Sequence, residues 1–167
     1  MLATSVLLMA LEGTSEARRR RRHRSYTVSR TLGLGLILGG PTGLSVKIYL
    51  ANAVAFDFAV GYYYGLGNDR GVGAHGDFLV HLDLVDTRDL DVPLYLGVGA
   101  VVVGDRDDGV NDNEDFEVGL RAPLGIAFEF GRVPLDIFLE LALIVAFIDD
   151  DDDRIGVDAA AGFRVWF

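Results

Sequence analysis

From residue 31 onward the sequence falls into eight stretches in which large apolar side chains take every second position. That alternation limits the fold more than any other feature of the chain. In "LGLGLILG" (32–39), Leu32, Leu34, Leu36 and Leu38 face away from Gly33, Gly35, Ile37 and Gly39. In "LSVKIYL" (44–50), Leu44, Val46, Ile48 and Leu50 oppose Ser45, Lys47 and Tyr49. The rule continues in "VAFDFAVGY" (54–62), "HGDFLVHLDL" (75–84), "LYLGVGAVV" (94–102), "FEVGLRAPLGIAFEF" (116–130), "LDIFLELAL" (135–143) and "IGVDAAAGFRVWF" (155–167). A period of two is the signature of a strand with two different environments on its faces.

The composition of the two faces decides which environment each one meets. A soluble barrel turns its large apolar residues inward and coats the other face with Lys, Glu, Thr and Ser. Here the second face is mostly Gly and Ala with single charges, a poor solvent coat but a good filling for the narrow lumen of eight strands. The Leu, Val and Phe face then looks at lipid, and closure satisfies every backbone group in the hydrocarbon. Charged residues make up 24% of the chain, too many for a bundle of membrane helices. A tilted strand needs about nine to eleven residues to cross a bilayer, and most of these stretches are near that length. The expected fold is all-β: an eight-stranded antiparallel up-and-down transmembrane β-barrel over residues 32–167. A soluble eight-stranded ligand carrier would need outward polar residues, which the pattern lacks.

The first 17 residues, "MLATSVLLMALEGTSEA", read as a signal peptide with an apolar core from Leu2 to Leu11. Residues 18–31 form a basic arm containing "RRRRRHR". Arginine runs often bind nucleic acid, but the chain carries a net charge of −10 despite that arm. A body so acidic is repelled by phosphate, and no nucleic-acid partner is expected. Cysteine is absent, which excludes disulfides and thiol chemistry.

The connections are unequal. The odd loops, "GPTG" (40–43), "YYGLGNDRGVGA" (63–74), "GDRDDGVNDNED" (104–115) and "IDDDDDR" (148–154), are mostly longer and more acidic than the even turns. Those turns are Ala51–Asn52, "VDTRDLD" (85–91) and "GRVP" (131–134). This is the asymmetry of a barrel with long outer loops and short inner turns. Tyr62, Tyr63, Tyr64, Phe116 and Phe147 are placed as one aromatic girdle, and Phe128, Phe130, Phe163, Trp166 and Phe167 as the other.

Inward charges follow from the same parity. Lys47, Arg121 and Arg164 stand against Asp57, Asp77, Asp83, Glu117, Glu129, Asp136, Glu140 and Asp158, with His75 and His81 beside them. Lys47 and Asp57 should lie opposite across the turn at Ala51 and Asn52, and Arg121 and Glu140 at one depth. Buried charge needs partners, so these read as paired struts. A narrow ion path is the second reading. Ser45, His75 and Asp77 offer the minimum for a Ser, His and carboxylate arrangement, but their spacing has no motif character. No catalytic residue, cofactor or metal site is expected. Asp105, Asp107, Asp112 and Glu114 read as solvated loop charge, since EF-hand spacing is lacking.

The last stretch, with Ala161, Phe163, Val165 and a terminal Phe167, resembles the strand by which bacterial outer-membrane barrels are recognised by their assembly machinery. Residues 32–167 resemble a small eight-stranded barrel of the OmpA/OmpX kind. "GPTGLSVKIYL", "RAPLGIAFEF" and "PLDIFLEL" are similar to segments of a family of uncharacterised outer-membrane barrels. Two features depart from the pattern: residue 165 is not aromatic, and Pro123 interrupts the sixth stretch, where a bulge or kink is expected. The resemblance implies a Gram-negative outer-membrane location. Its expected partners are outer-membrane lipid, lipopolysaccharide and the assembly machinery, with any extracellular ligand held by the outer loops. The implied role is structural, anchoring or surface-interacting and not enzymatic. The alternative is a narrow pore for small solutes.

Overall fold

The computed structural model describes residues 31–63, 71–105, 116–147 and 154–167. Residues 1–17, expected to be a signal peptide, nearly all of the basic arm and most of three odd loops, including Tyr64, Asp107, Asp112 and Glu114, lie outside the described residues. Eight strands follow one another: β1 (Leu32–Gly39), β2 (Thr42–Ala51), β3 (Val54–Tyr63), β4 (Gly71–Asp86), β5 (Leu90–Asp105), β6 (Phe116–Phe130), β7 (Leu135–Phe147) and β8 (Arg154–Trp166). Each pairs antiparallel with the next, and β1 pairs with β8 to close the barrel. The seam runs from Gly33↔Trp166 to Gly39↔Ala160. It depends on small residues in β1, because a Cβ at Gly35 would run into the Phe163 carbonyl and the Arg164 Cα.

Alternation becomes an inside-out distribution of polarity. Leu38, Phe78, Leu124, Leu139 and Val157 are 64, 56, 51, 50 and 64% exposed. Lys47, Asp77, Arg121, Asp136 and Arg164 are all buried. Soluble monomers rarely expose an apolar patch larger than a few hundred Å², whereas here the apolar belt is contributed by all eight strands. Such a surface is at low free energy only in hydrocarbon, and a closed ladder leaves no strand edge unpaired at the seam. The barrel is therefore of the membrane-spanning type.

Several sequence expectations need correction. The turn placed at 85–91 is confined to 87–89, because β4 runs on to Asp86 and β5 starts at Leu90. Thr87 tightens it: its Oγ1 donates to the Leu90 carbonyl at 2.6 Å and accepts from the Leu90 N–H at 3.1 Å. Asp83 is exposed and does not line the lumen. Pairing between β3 and β4 stops at Val54↔Val80, so β4 extends past the wall that would have enclosed it. Pro123 causes no bulge. Two rungs are missing between Leu96↔Leu124 and Gly99↔Arg121, yet the register is the same on both sides, and the β7 side pairs straight through Pro123↔Ala142. The register shifts lie at Tyr49/Ala51 and Asp83/Val85. Tyr63 and Trp166 leave the girdles and are buried in the lumen. Tyr62, Phe116 and Phe147 remain exposed near one end, and Phe163 and Phe167 near the other.

Candidate functional site: the charged lumen

The inward side chains form two networks, each centred on an arginine. Toward the loop side, Arg121 on β6 donates from Nη1 to Asp77 Oδ2 on β4 and from Nη2 to Glu140 Oε1 on β7, the latter at 2.5 Å. The other oxygen of Glu140 accepts from the Tyr95 hydroxyl on β5 at 3.0 Å. His75 lies two residues from Asp77 on the same face, with its Nδ1 2.8 Å from the Tyr63 hydroxyl and its Nε2 3.7 Å from Asp77 Oδ2. Asp158, on β8, is half-buried nearer the loops, and its Oδ2 has no hydrogen-bond partner among the described residues.

Toward the termini, Arg164 on β8 reaches across β1. It donates from Nη2 to Asp57 Oδ2 on β3 at 2.5 Å and from Nε to Ser45 Oγ on β2 at 2.9 Å. Its guanidinium carbon lies 3.9 Å from the centre of the Phe138 ring. The route is open because Gly35, between Arg164 and Ser45 in the ladder, has no side chain. Lys47 and Asp57 are direct cross-strand neighbours, but the carboxylate is bound by Arg164. The Lys47 ammonium instead sits 4.7 Å from the Tyr95 ring centre and 5.4 Å from that of Tyr49, where ring quadrupoles favour a cation.

An aromatic layer completes this half. Trp166 stacks on Tyr49 with centroids 5.3 Å apart, Tyr49 lies 5.1 Å from His81, and His81 lies 5.6 Å from Tyr95. Tyr49 donates to Glu129 Oε1 at 2.9 Å. Asp136 is the cross-strand neighbour of Arg164, yet neither of its carboxylate oxygens has a hydrogen-bond partner among the described residues.

Of the charged residues singled out from sequence, Asp77, Arg121 and Glu140 meet in one network and Asp57 and Arg164 in the other. Lys47 and His81 join the aromatic layer, and Asp158 stands apart toward the loops. Phe163, Val165 and Phe167 are outward-facing. Tyr49, Tyr63, Tyr95 and Trp166 were not singled out for the lumen network, although each has inward parity. Asp91, buried near the turn, was hidden in the segment read as a loop. Ser45, His75 and Asp77 do not assemble as a triad. Ser45 pairs with Ala59 and Ala59 with His75, so serine and histidine stand two strands, about 10 Å, apart.

At the turns on the termini side, Arg132 Nε and Nη2 donate to Asp89 Oδ1 and Oδ2 at 2.8 and 3.1 Å. These bonds hold the Asp89 carboxyl below the usual carboxylate range and raise the Arg132 guanidinium above its own. Both side chains are exposed.

No protein-family model matches the chain, and no curated protein matches it. Among solved structures, the chain is similar to the N-terminal β-barrel domain of Pseudomonas aeruginosa OprF. The TM-score is 0.45 and the identity 15%, over 81% of this chain and 94% of that one.

Proposed function

We propose that the chain is an integral barrel of the bacterial outer membrane with a structural, anchoring or surface-interacting role. Its lumen is filled by struts, and any ligand is taken by the acidic outer loops. The observation that carries this reading is the inversion of polarity, with apolar side chains on the outside of a closed barrel and ion pairs within. Outer-membrane lipid and lipopolysaccharide are the proposed surroundings of the belt. Phe163, Val165 and Phe167 are the proposed contacts for the assembly machinery. A non-enzymatic role accords with the engagement of the Ser45 hydroxyl by Arg164.

A pore for small solutes is the second reading. It is favoured by polar atoms along the lumen that have no hydrogen-bond partner among the described residues, among them Asp158 Oδ2, Arg121 Nε, Asp136 Oδ1 and Trp166 Nε1. The test is refolding into detergent, with boiled and unboiled samples compared on a gel beside far-ultraviolet circular dichroism, followed by planar-bilayer recording. A compact heat-modifiable band, a strand spectrum seen only in detergent and no current steps are expected. Steady steps would move the reading to the pore, and strand structure formed without detergent would overturn both.

A further inference from the structure

We propose that the loop-side half of the lumen binds one divalent transition-metal ion through His75, Asp77 and Glu140. The three side chains are buried, at 3, 1 and 5% exposure, and one ligand atom from each lies within 4.8 Å of the others. Donors at about 2.1 Å from a common ion stand at most about 4.2 Å apart, so side-chain movement of less than an ångström brings them into range.

His75 is poised as a ligand. Metal-bound imidazoles are usually fixed through their second nitrogen, and here Nδ1 is engaged by the Tyr63 hydroxyl at 2.8 Å. In the tautomer that donates Nδ1–H to the Tyr63 hydroxyl, Nε2 carries a lone pair. It faces Asp77 Oδ2 at 3.7 Å, outside hydrogen-bond range. Arg121 engages one oxygen of each carboxylate, and the buried Asp77 Oδ1 has no hydrogen-bond partner among the described residues.

Two carboxylates share the single guanidinium of Arg121, and buried charge that lacks its full complement of partners is costly away from water. One imidazole with carboxylates suits Zn²⁺ or Mn²⁺ better than Ca²⁺ or Mg²⁺, which prefer oxygen alone. Arg121 holds the same carboxylates, so the guanidinium and the metal compete for them.

The test uses the full chain refolded in a zwitterionic detergent, with excess Ca²⁺ present to saturate the acidic loops. Zn²⁺ binding is followed by calorimetry and Mn²⁺ binding by electron paramagnetic resonance. One site that survives Ca²⁺ is expected. His75→Ala should weaken it about tenfold or more, and Arg121→Gln should tighten it by removing the competitor. Loss of all binding in excess Ca²⁺, or unchanged binding in either variant, would overturn the proposal. Should Arg121→Gln fail to give the heat-modifiable band, His75→Ala, which leaves every ion pair of Arg121 in place, decides alone.

Discussion

Replacing Arg164 with alanine tests whether the lumen is held by charge. The substitution removes the bond to Asp57 at 2.5 Å, the bond to Ser45 at 2.9 Å and the stacking on Phe138. It leaves Asp57 at 3% exposure, and Asp136 fully buried on the neighbouring strand. Breaking a buried ion pair from one side costs about 3–5 kcal/mol, because the surviving charge is stranded. Cation–π stacking in a desolvated site adds up to about 2 kcal/mol, partly overlapping the first figure. Arg164→Ala should therefore destabilise the barrel by about 3–5 kcal/mol. Arg164→Leu combined with Asp57→Leu should recover most of that loss, because it removes one charge of each sign and strands neither partner of the pair. Urea titration in lipid vesicles gives the free energies. The readouts are the fluorescence of Trp166, the single tryptophan of the chain, and the fraction of compact band on unboiled gels. A single-variant cost below about 1 kcal/mol, the scale of a solvent-screened pair, with no gain in the double variant would refute the reasoning. The lumen would then be wet enough to screen its own charges.

Two further outcomes follow from the surfaces. Leu139 is half exposed in the middle of β7, so Leu139→Arg should cost about 2–4 kcal/mol in vesicles, as a cation at mid-bilayer does. A cost within about 0.5 kcal/mol, typical of a water-facing site, would place that face in solvent. At the turns, Arg132 lowers the Asp89 carboxyl, so any stabilisation it gives is present above the unfolded value of about 3.9. It is lost as pH falls through the lower folded value. Both groups are exposed, and Asp89→Asn should leave the unfolding midpoint unchanged at pH 7 and pH 3. A shift at pH 7 that vanishes at pH 3 would show that this exposed pair does matter.

The sequence revealed the fold because a membrane barrel presents each strand with two opposite environments, and side chains answer with a strict period of two. Eight strands and most of the inward set followed from that rule. Contacts inside the lumen did not, because parity assigns a face but not a reach. Lys47 and Asp57 are true cross-strand neighbours, yet the carboxylate is taken by Arg164, which crosses over Gly35. Tyr63 and Trp166 have inward parity, but their positions at strand ends suggested girdles. In the barrel each has a close ring or hydroxyl partner inside, His75 for Tyr63 and Tyr49 for Trp166. Asp91 was hidden because the hydrogen bonds of Thr87 shorten the turn and return the flanking residues to the strands.

The two arginines also differ in what they hold together. Arg121 bridges β4 and β7 from β6, and Tyr95 extends that network to β5 through Glu140. These strands are consecutive in the chain, so the network can form whether or not the barrel is closed. Arg164 belongs to the last strand and binds Ser45 and Asp57 on the second and third, passing over β1. Its bonds exist only once β8 has docked on β1. What β1 supplies is a gap, through Gly35, where any side chain would collide with the β8 backbone and block the arginine. A glycine in a strand interior costs about 0.5–1 kcal/mol relative to alanine, and closure of the seam offsets that cost. Loss of Arg164 should therefore be read as loss of a clasp across the seam, whereas loss of Arg121 weakens a wall that the ladder already holds.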